Sequence, residues 1–152
     1  MHNVTTTDSI EILNDLLAIN NDRIVGYEKA LKELKDEYSD LRPVFREMID
    51  ESRNIRNELA REVQSLGGNY ESDTTTSGKL YRAWMDVRAV FGGSSRHSVL
   101  ANCERGEDAA QKAYSDAFEE EMPSYIYNML TEEQKKLKAS HDKIKALRDA
   151  SK

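Results

Sequence analysis

Hydrophobic residues recur at alternating steps of three and four along most of the chain, which is the spacing of one face of an α-helix. The first stripe predicts a helix over about 9–36, and Asp8 and Glu11 have the spacing of a capping box at its start. A second stripe predicts a helix over about 40–66. Because the connection between them is short, we expect these two helices to pack side by side in opposite directions.

The second predicted helix has recognisable signals at both ends. Ser39 and Asp40 are residue types that cap a helix start, and Pro43 suits the first turn. Gly67 and Gly68 follow the last hydrophobic residue of the stripe, where glycine commonly ends a helix. We therefore expect this helix to begin at the Ser-Asp pair and to end at the glycines.

Two further long helices are predicted in the second half of the chain. A polar, Ser/Thr-rich segment follows the glycines, and a short amphipathic helix is predicted after it, over about 79–91. Two long stripes then predict helices over about 96–120 and 124–149. Thr131 and Gln134 have the spacing of another capping box, so a kink or break of the last helix at that point is an alternative.

The long connection between the second and third long helices determines the predicted topology. Adjacent antiparallel helices need only a few residues between them, whereas this segment is long enough to run the length of a bundle. We therefore predict an all-α protein, an antiparallel four-helix bundle in which one long crossover with a short extra helix joins two helix pairs.

Composition supports a single all-α domain over residues 1–152. The 152 residues are 38% hydrophobic, which suffices for one sizeable core. The chain has only 7 Gly and 2 Pro, and 33% of its residues are charged, as in proteins built from long helices. This composition does not match that of a sheet protein.

The charge of the chain limits the kinds of molecule that are expected to bind to it. The formal net charge is −6, and no cluster of Lys and Arg lacks acidic neighbours, so neither nucleic acid nor a membrane is an expected partner. No apolar run approaches the roughly 20 residues of a membrane span, and the N-terminal segment lacks the apolar core of a signal peptide. We expect a cytoplasmic protein in which Cys103, the single cysteine, is a packed and unreactive thiol.

Polar residues interrupt the hydrophobic stripes at one level of the predicted bundle. Residues equidistant from a hairpin turn lie level with each other, so the polar residues of each helix pair should face one another to within about one turn. These residues are Asn20, Glu51, Glu107 and His141, with Tyr27 and Tyr114 one level away.

With these residues the chain resembles the ferritin-like superfamily, which includes bacterioferritin and rubrerythrin. The di-iron sites of that superfamily use one Glu on each of two helices and a Glu-x-x-His pair on each of the other two. The resemblance implies that three ligand positions keep ligand chemistry, namely Glu51, Glu107 and His141. It implies that the other three are replaced, by Asn20, Asn54 and Lys138. A degenerate di-iron site is the expectation.

The chain is still more similar to an uncharacterised bacterial family of ferritin-like four-helix-bundle domains of unknown function. The segments that carry this similarity are 20–22, 26–27, 84–86, 103–108, 141–142 and 147–149. The similarity implies the fold but brings no reaction with it, so the function has to be argued from the residues.

One interpretation of the polar level is a reduced metal site. Two carboxylates and one imidazole suit a single Fe, Mn or Zn ion. The three ligands would be Glu51, Glu107 and His141. Neighbouring groups that would support these ligands are Glu104, Asp108 and Asp142. This interpretation predicts a metal-dependent oxidase, or a peroxide-consuming or iron-handling protein.

The other interpretation is a buried hydrogen-bond network without a cofactor. Its balancing positive charge would come from Arg53, Arg56 or Arg105. We favour this interpretation, because each missing Glu removes both a ligand and a negative charge from a di-metal site. It predicts a non-catalytic, stress-associated bundle that works as a homodimer or with a protein partner.

Overall fold

The computed structural model describes residues 6–69 and 95–151. Within them lie α1 (Thr6–Glu33), a 3-10 helix (Asp36–Leu41), α2 (Arg42–Ser65), α3 (Arg96–Ala117) and α4 (Ser124–Ala150). The prediction of four long helices in an all-α bundle is confirmed, with helix ends that differ from the predicted ones by a few residues. The short helix predicted over 79–91 lies outside the described residues.

The connection between α1 and α2 differs from the prediction. Leu41 is the N-cap residue of α2 and provides no side-chain cap, although Pro43 does lie in the first turn as predicted. The capping role predicted for Ser39 and Asp40 is therefore wrong. The Asp40 carboxylate instead accepts two hydrogen bonds from the Arg96 guanidinium, each of 2.8 Å, which ties the connection to the start of α3.

Two other predicted helix signals lie inside helices. Helix α1 begins at Thr6, so Asp8 lies in its first turn rather than at its N-cap. Helix α4 runs without a break past residue 130. The Thr131 hydroxyl donates to the Tyr127 carbonyl, 2.8 Å away and one turn earlier, so it is satisfied within the helix and starts no new one.

Contacts between helix ends establish the direction of each helix. The end of α2 lies beside the start of α1, where the Asn14 amide donates to the Asn69 carbonyl at 3.0 Å. The start of α3 lies at the opposite end of the bundle, where Arg96 pairs with Asp40. Helices α2 and α3 therefore run in the same direction, and the chain between them joins opposite ends of the bundle, as predicted.

The core consists of two hydrophobic clusters with a polar layer between them. The first cluster contains Tyr27, Phe45, Met48, Leu100 and Ile144, and the second contains Leu13, Ile55, Leu59, Tyr114 and Leu137. Because each helix contributes to both clusters, the polar layer lies about midway along the bundle. Buried Asn20, Arg23, Ser52, Glu107 and Ser140 form this layer. None of the helices among the described residues is long and apolar enough to cross a membrane.

Candidate functional site

A fully buried arginine, Arg23, lies at the centre of the polar layer. Its Nε donates to Glu107 Oε1 at 2.9 Å, and its Nη1 donates to Glu51 Oε1 at 3.0 Å. The same Nη1 donates to Ser52 Oγ at 2.9 Å and to the Met48 carbonyl at 3.3 Å. One guanidinium therefore connects α1 to α2 and α3 inside the core.

The positive charge of Arg23 lies between the carboxylates of Glu51 and Glu107. Burial by itself would lower the pKa of Arg23, but the negative charge of Glu107 and then that of Glu51 raise it. The guanidinium is therefore a permanent cation between two acidic side chains. Glu107 has no exposed side-chain surface, whereas Glu51 keeps 21% of its side chain exposed, so the second carboxylate retains contact with solvent.

Tyr27 completes the environment of Glu107. Its hydroxyl donates to Glu107 Oε1, 2.5 Å away, which is the oxygen that also accepts from Arg23. Burial, followed by the charge of Glu107, raises the pKa of Tyr27 well above its ordinary value, so the phenol stays protonated and keeps donating. Oε2 of Glu107 is buried and has no hydrogen-bond partner among the described residues.

The network continues from Ser52 towards α3. The Ser52 hydroxyl donates to Asn20 Oδ1 at 3.0 Å. The Asn20 amide donates to the Leu16 carbonyl at 2.9 Å and to the Tyr114 hydroxyl at 3.2 Å. The Tyr114 hydroxyl in turn donates to Glu133 Oε1 at 2.8 Å. Each group from Arg23 on α1 thus donates to the next, and the series ends at Glu133 on α4.

Glu133 is a second acidic group of the core and was missed by sequence reasoning. It is only 1% exposed. Burial, together with a hydrogen bond to Glu58, raises the pKa of Glu133 to about 10. Glu133 is therefore a neutral carboxylic acid at pH 7. Its spacing from Leu130 and Leu137, three and four residues away on the hydrophobic stripe, was the available signal.

The three predicted metal ligands do not meet at one point. Glu51 and Glu107 both contact Arg23, as described above. His141 instead contacts Asp108, with Nε2 2.5 Å from Oδ1. The inward position of α4 belongs to Ser140, whose hydroxyl donates to Glu51 Oε1 at 2.8 Å. The prediction placed the inward position of α4 one residue too late. Adjacent residues of a helix point about 100° apart, so His141 points away from the core.

The replaced ligand positions also lie outside the polar layer, except for Asn20. Asn54 is exposed. Lys138 is exposed and donates to Asp142 Oδ2 at 3.1 Å. Asn54 and Lys138 therefore do not face the core.

The arginine that pairs with Glu51 and Glu107 is Arg23, not one of the three that were predicted. Arg53 donates to Glu28 at the surface, and Arg105 donates to Asn102. Arg56 is half-buried and donates to Asn21 Oδ1. The signal that identifies Arg23 is its position on α1, three residues after Asn20 and four before Tyr27.

A second group of acidic and histidine side chains lies on the face shared by α3 and α4. Ligand atoms of Glu104, Asp108 and His141 lie within 4.8 Å of one another, and this is the one such group among the described residues. Glu104 is 8% exposed, and its Oε2 lies 2.5 Å from Nη1 of Arg148. Hydrogen bonds to the carboxylates of Asp142 and Asp108, which accept from the protonated ring, outweigh the effect of burial and raise the pKa of His141.

The single cysteine is a core residue, as predicted. Cys103 has no exposed surface. Burial, followed by the charge of Glu107, raises the pKa of the Cys103 thiol far above its ordinary value, so the reactive thiolate is disfavoured. Its place in the core beside Tyr27 and Leu100 is that of a packing residue.

The fold and the polar layer define the class of protein, a four-helix bundle with a buried ion-pair network at its centre. Residues 8–120 match the family described as Domain of unknown function (DUF2383), and the chain belongs to that family. Membership of a family of unknown function is thus confirmed. The matched segment contains Arg23, Glu51 and Glu107, whereas α4 follows it. No curated protein matches the chain.

Proposed function

We propose that this protein is a ferritin-like, non-catalytic bundle in which Arg23 takes the central position of a di-metal centre. The observation that carries the proposal is the guanidinium held between Glu51 and Glu107 with no exposed surface. A positive charge of the protein itself is then the partner of carboxylates that would otherwise face a metal ion.

The path of the chain supports the ferritin-like assignment. Helices α1 and α2 form one antiparallel pair and α3 and α4 the other, and α2 and α3 run in the same direction. Ferritin-like proteins have one long crossover of this kind between two helix pairs. The polar layer midway along the bundle is where such proteins build their metal sites.

The residues of the layer do not fit a di-metal centre. Two divalent ions need several carboxylates to offset their charge. The layer offers Glu51 and Glu107, and both already pair with Arg23. The remaining groups of the layer are neutral and already hydrogen-bonded, Asn20 and Ser52 to each other and Ser140 to Glu51. A metal ion at this point would also meet the repulsion of the guanidinium.

A network of this kind has a structural use. Its hydrogen bonds connect all four helices and favour one relative position of the helices over slipped alternatives. We propose that the protein works through its surface, in the cytoplasm, as a homodimer or with a protein partner during stress. The exposed rings of Tyr125 and Tyr127 at the start of α4, 53% and 46% exposed, supply an apolar contact area.

Oxygen uptake on addition of Fe(II) tests the non-catalytic proposal. We expect protein purified without chelator to consume oxygen no faster than buffer containing Fe(II), while a ferritin with ferroxidase activity serves as positive control. Fe(II)-dependent uptake that is lost in Glu107→Gln or Glu51→Gln but kept in Asp50→Asn would overturn it. Asp50 is the matched control because it is an exposed carboxylate on α2.

Sedimentation velocity tests the surface proposal. We expect a dimer at micromolar concentration, and we expect Tyr125→Ser and Tyr127→Ser to weaken it. A wild-type protein that stays monomeric at these concentrations argues against self-association and in favour of another protein partner.

A further inference from the structure

We propose that Glu104, Asp108 and His141 bind one divalent transition-metal ion between α3 and α4. Their ligand atoms lie within 4.8 Å of one another, so one ion can contact all three after small side-chain movements. Two carboxylates and one imidazole suit Zn²⁺, Fe²⁺ or Mn²⁺ better than they suit Ca²⁺ or Mg²⁺, which prefer oxygen ligands alone.

The backbone places the three ligands together. Glu104 and Asp108 are four residues apart on α3, so their side chains project from the same helix face one turn apart. His141 faces them from α4, with its Nε2 2.5 Å from Asp108 Oδ1. Two ligands on one helix and a third on its neighbour make a site whose geometry depends on the packing of the hairpin.

The orientation of the histidine matches that of a metal ligand. Nδ1 of His141 lies 3.1 Å from Asp142 Oδ1, while Nε2 faces the two carboxylates on α3. A metal-bound histidine usually donates its other ring N–H to a carboxylate, which fixes both the tautomer and the ring. Lys138 Nζ holds the other oxygen of Asp142 at 3.1 Å and keeps that carboxylate in position.

The local charge also favours a cation. Glu104, Asp108 and Asp142 contribute three negative charges, and Lys138 and Arg148 contribute two positive ones. When His141 is neutral, these side chains therefore carry one more negative charge than positive charge. Arg148 is held independently by Asp149, 2.8 Å from its Nη2, so it keeps a partner when Glu104 turns to an ion.

The competing arrangement is a protonated His141 paired with its carboxylates and no metal. Both arrangements use the same contacts, and they differ in whether the purified protein takes up an ion. The site is separate from Arg23 and Glu107, so it adds to the proposed function and does not depend on it.

Zn²⁺ binding by the full chain tests this proposal. We expect one Zn²⁺ per chain in competition with a chromophoric chelator at pH 7.5, and visible absorption bands of a bound Co²⁺ ion. Mg²⁺ and Ca²⁺ at the same concentrations should not compete. We expect Asp108→Asn and His141→Gln to weaken Zn²⁺ binding at least tenfold, and Asp142→Asn to weaken it on the order of tenfold.

The control is His97→Gln, because His97 is a half-buried histidine on the same helix pair and lies outside the group. It should bind Zn²⁺ like the wild type. Asp108 is 62% exposed, so Asp108→Asn should fold normally, as circular dichroism can verify. No Zn²⁺ uptake by the wild type, or uptake that His141→Gln and Asp108→Asn leave unchanged, overturns the site. Uptake lost in Glu107→Gln but kept in His141→Gln would overturn both this site and the proposed function.

Discussion

Arg23 and Glu107 form an ion pair in which Nε lies 2.9 Å from Oε1 and neither side chain has any exposed surface. Removing two charges from water costs several kcal/mol each, and their mutual attraction offsets this cost only when further hydrogen bonds satisfy both groups. Here Tyr27 donates to the carboxylate, and Glu51 and Ser52 accept from the guanidinium. Each partner therefore depends on the other for its burial.

Removing both members of this pair should destabilise the protein less than the two single removals added together. We expect Glu107→Gln and Arg23→Met each to lower the free energy of unfolding by about 3–5 kcal/mol, because each leaves a buried charge with a lost partner. The double variant should lose clearly less than the sum of the two. Urea unfolding measures all four proteins, and additive losses would show that the two side chains do not interact.

Tyr27→Phe should remove one hydrogen bond to a charged acceptor without creating a cavity. We expect a loss of about 1.5–3 kcal/mol in the free energy of unfolding. Tyr127→Phe is the matched control, because that ring is 46% exposed and keeps its edge contact with Phe118 after the change. Equal losses in the two variants would contradict a special role for the Tyr27 hydroxyl.

Glu133 should make stability depend on pH. Its folded-state pKa of about 10 lies above the ordinary value of 4.5, so between these values the folded protein holds a proton that the unfolded chain has released. The contribution of this proton to the free energy of unfolding is fully present below about pH 4.5 and is lost as the pH rises towards 10. The free energy of unfolding then falls by at most about 1.4 kcal/mol per pH unit. The groups that face it are Glu58 on α2, Tyr114 on α3 and Lys136 on α4.

Urea unfolding between pH 6 and pH 9 measures this effect. We expect the free energy of unfolding of Glu133→Gln to fall less steeply with pH than that of the wild type. The variant should be the more stable protein at pH 9, because Gln needs no proton to stay neutral. Glu132→Gln is the control, since Glu132 is the exposed neighbour on the same helix and should leave the slope unchanged. If neither substitution changes how the free energy of unfolding depends on pH, Glu133 is not the cause of that dependence.

Gly67 ends α2 in the left-handed conformation, with φ of +85°. A Cβ added at this position meets no atom within 4 Å, so the cost of a side chain is conformational and not steric. We expect Gly67→Ala to lower the free energy of unfolding by about 1 kcal/mol, and Gly67→Asn to lower it by less, because Asn tolerates this conformation better. Thermal unfolding monitored by circular dichroism checks the order of the two variants.

The hydrophobic spacing by itself determined the four long helices, their antiparallel pairing and the long crossover. It also identified the polar level, and Asn20, Glu107, Tyr27 and Tyr114 are buried there as predicted. These positions were predictable because a helix repeats every 3.6 residues, so a stripe of about six to eight turns averages out single exceptions.

Only the tertiary structure decided which polar side chains meet. A stripe locates a helix face to within about one residue, and one residue separates buried Ser140 from half-buried His141. Arg23 was missed because an arginine is ordinarily a surface residue. Its burial becomes favourable only where carboxylates of two other helices reach it, and Glu51 and Glu107 lie 28 and 84 residues away along the chain. Spacing within one helix carries no information about such distant partners.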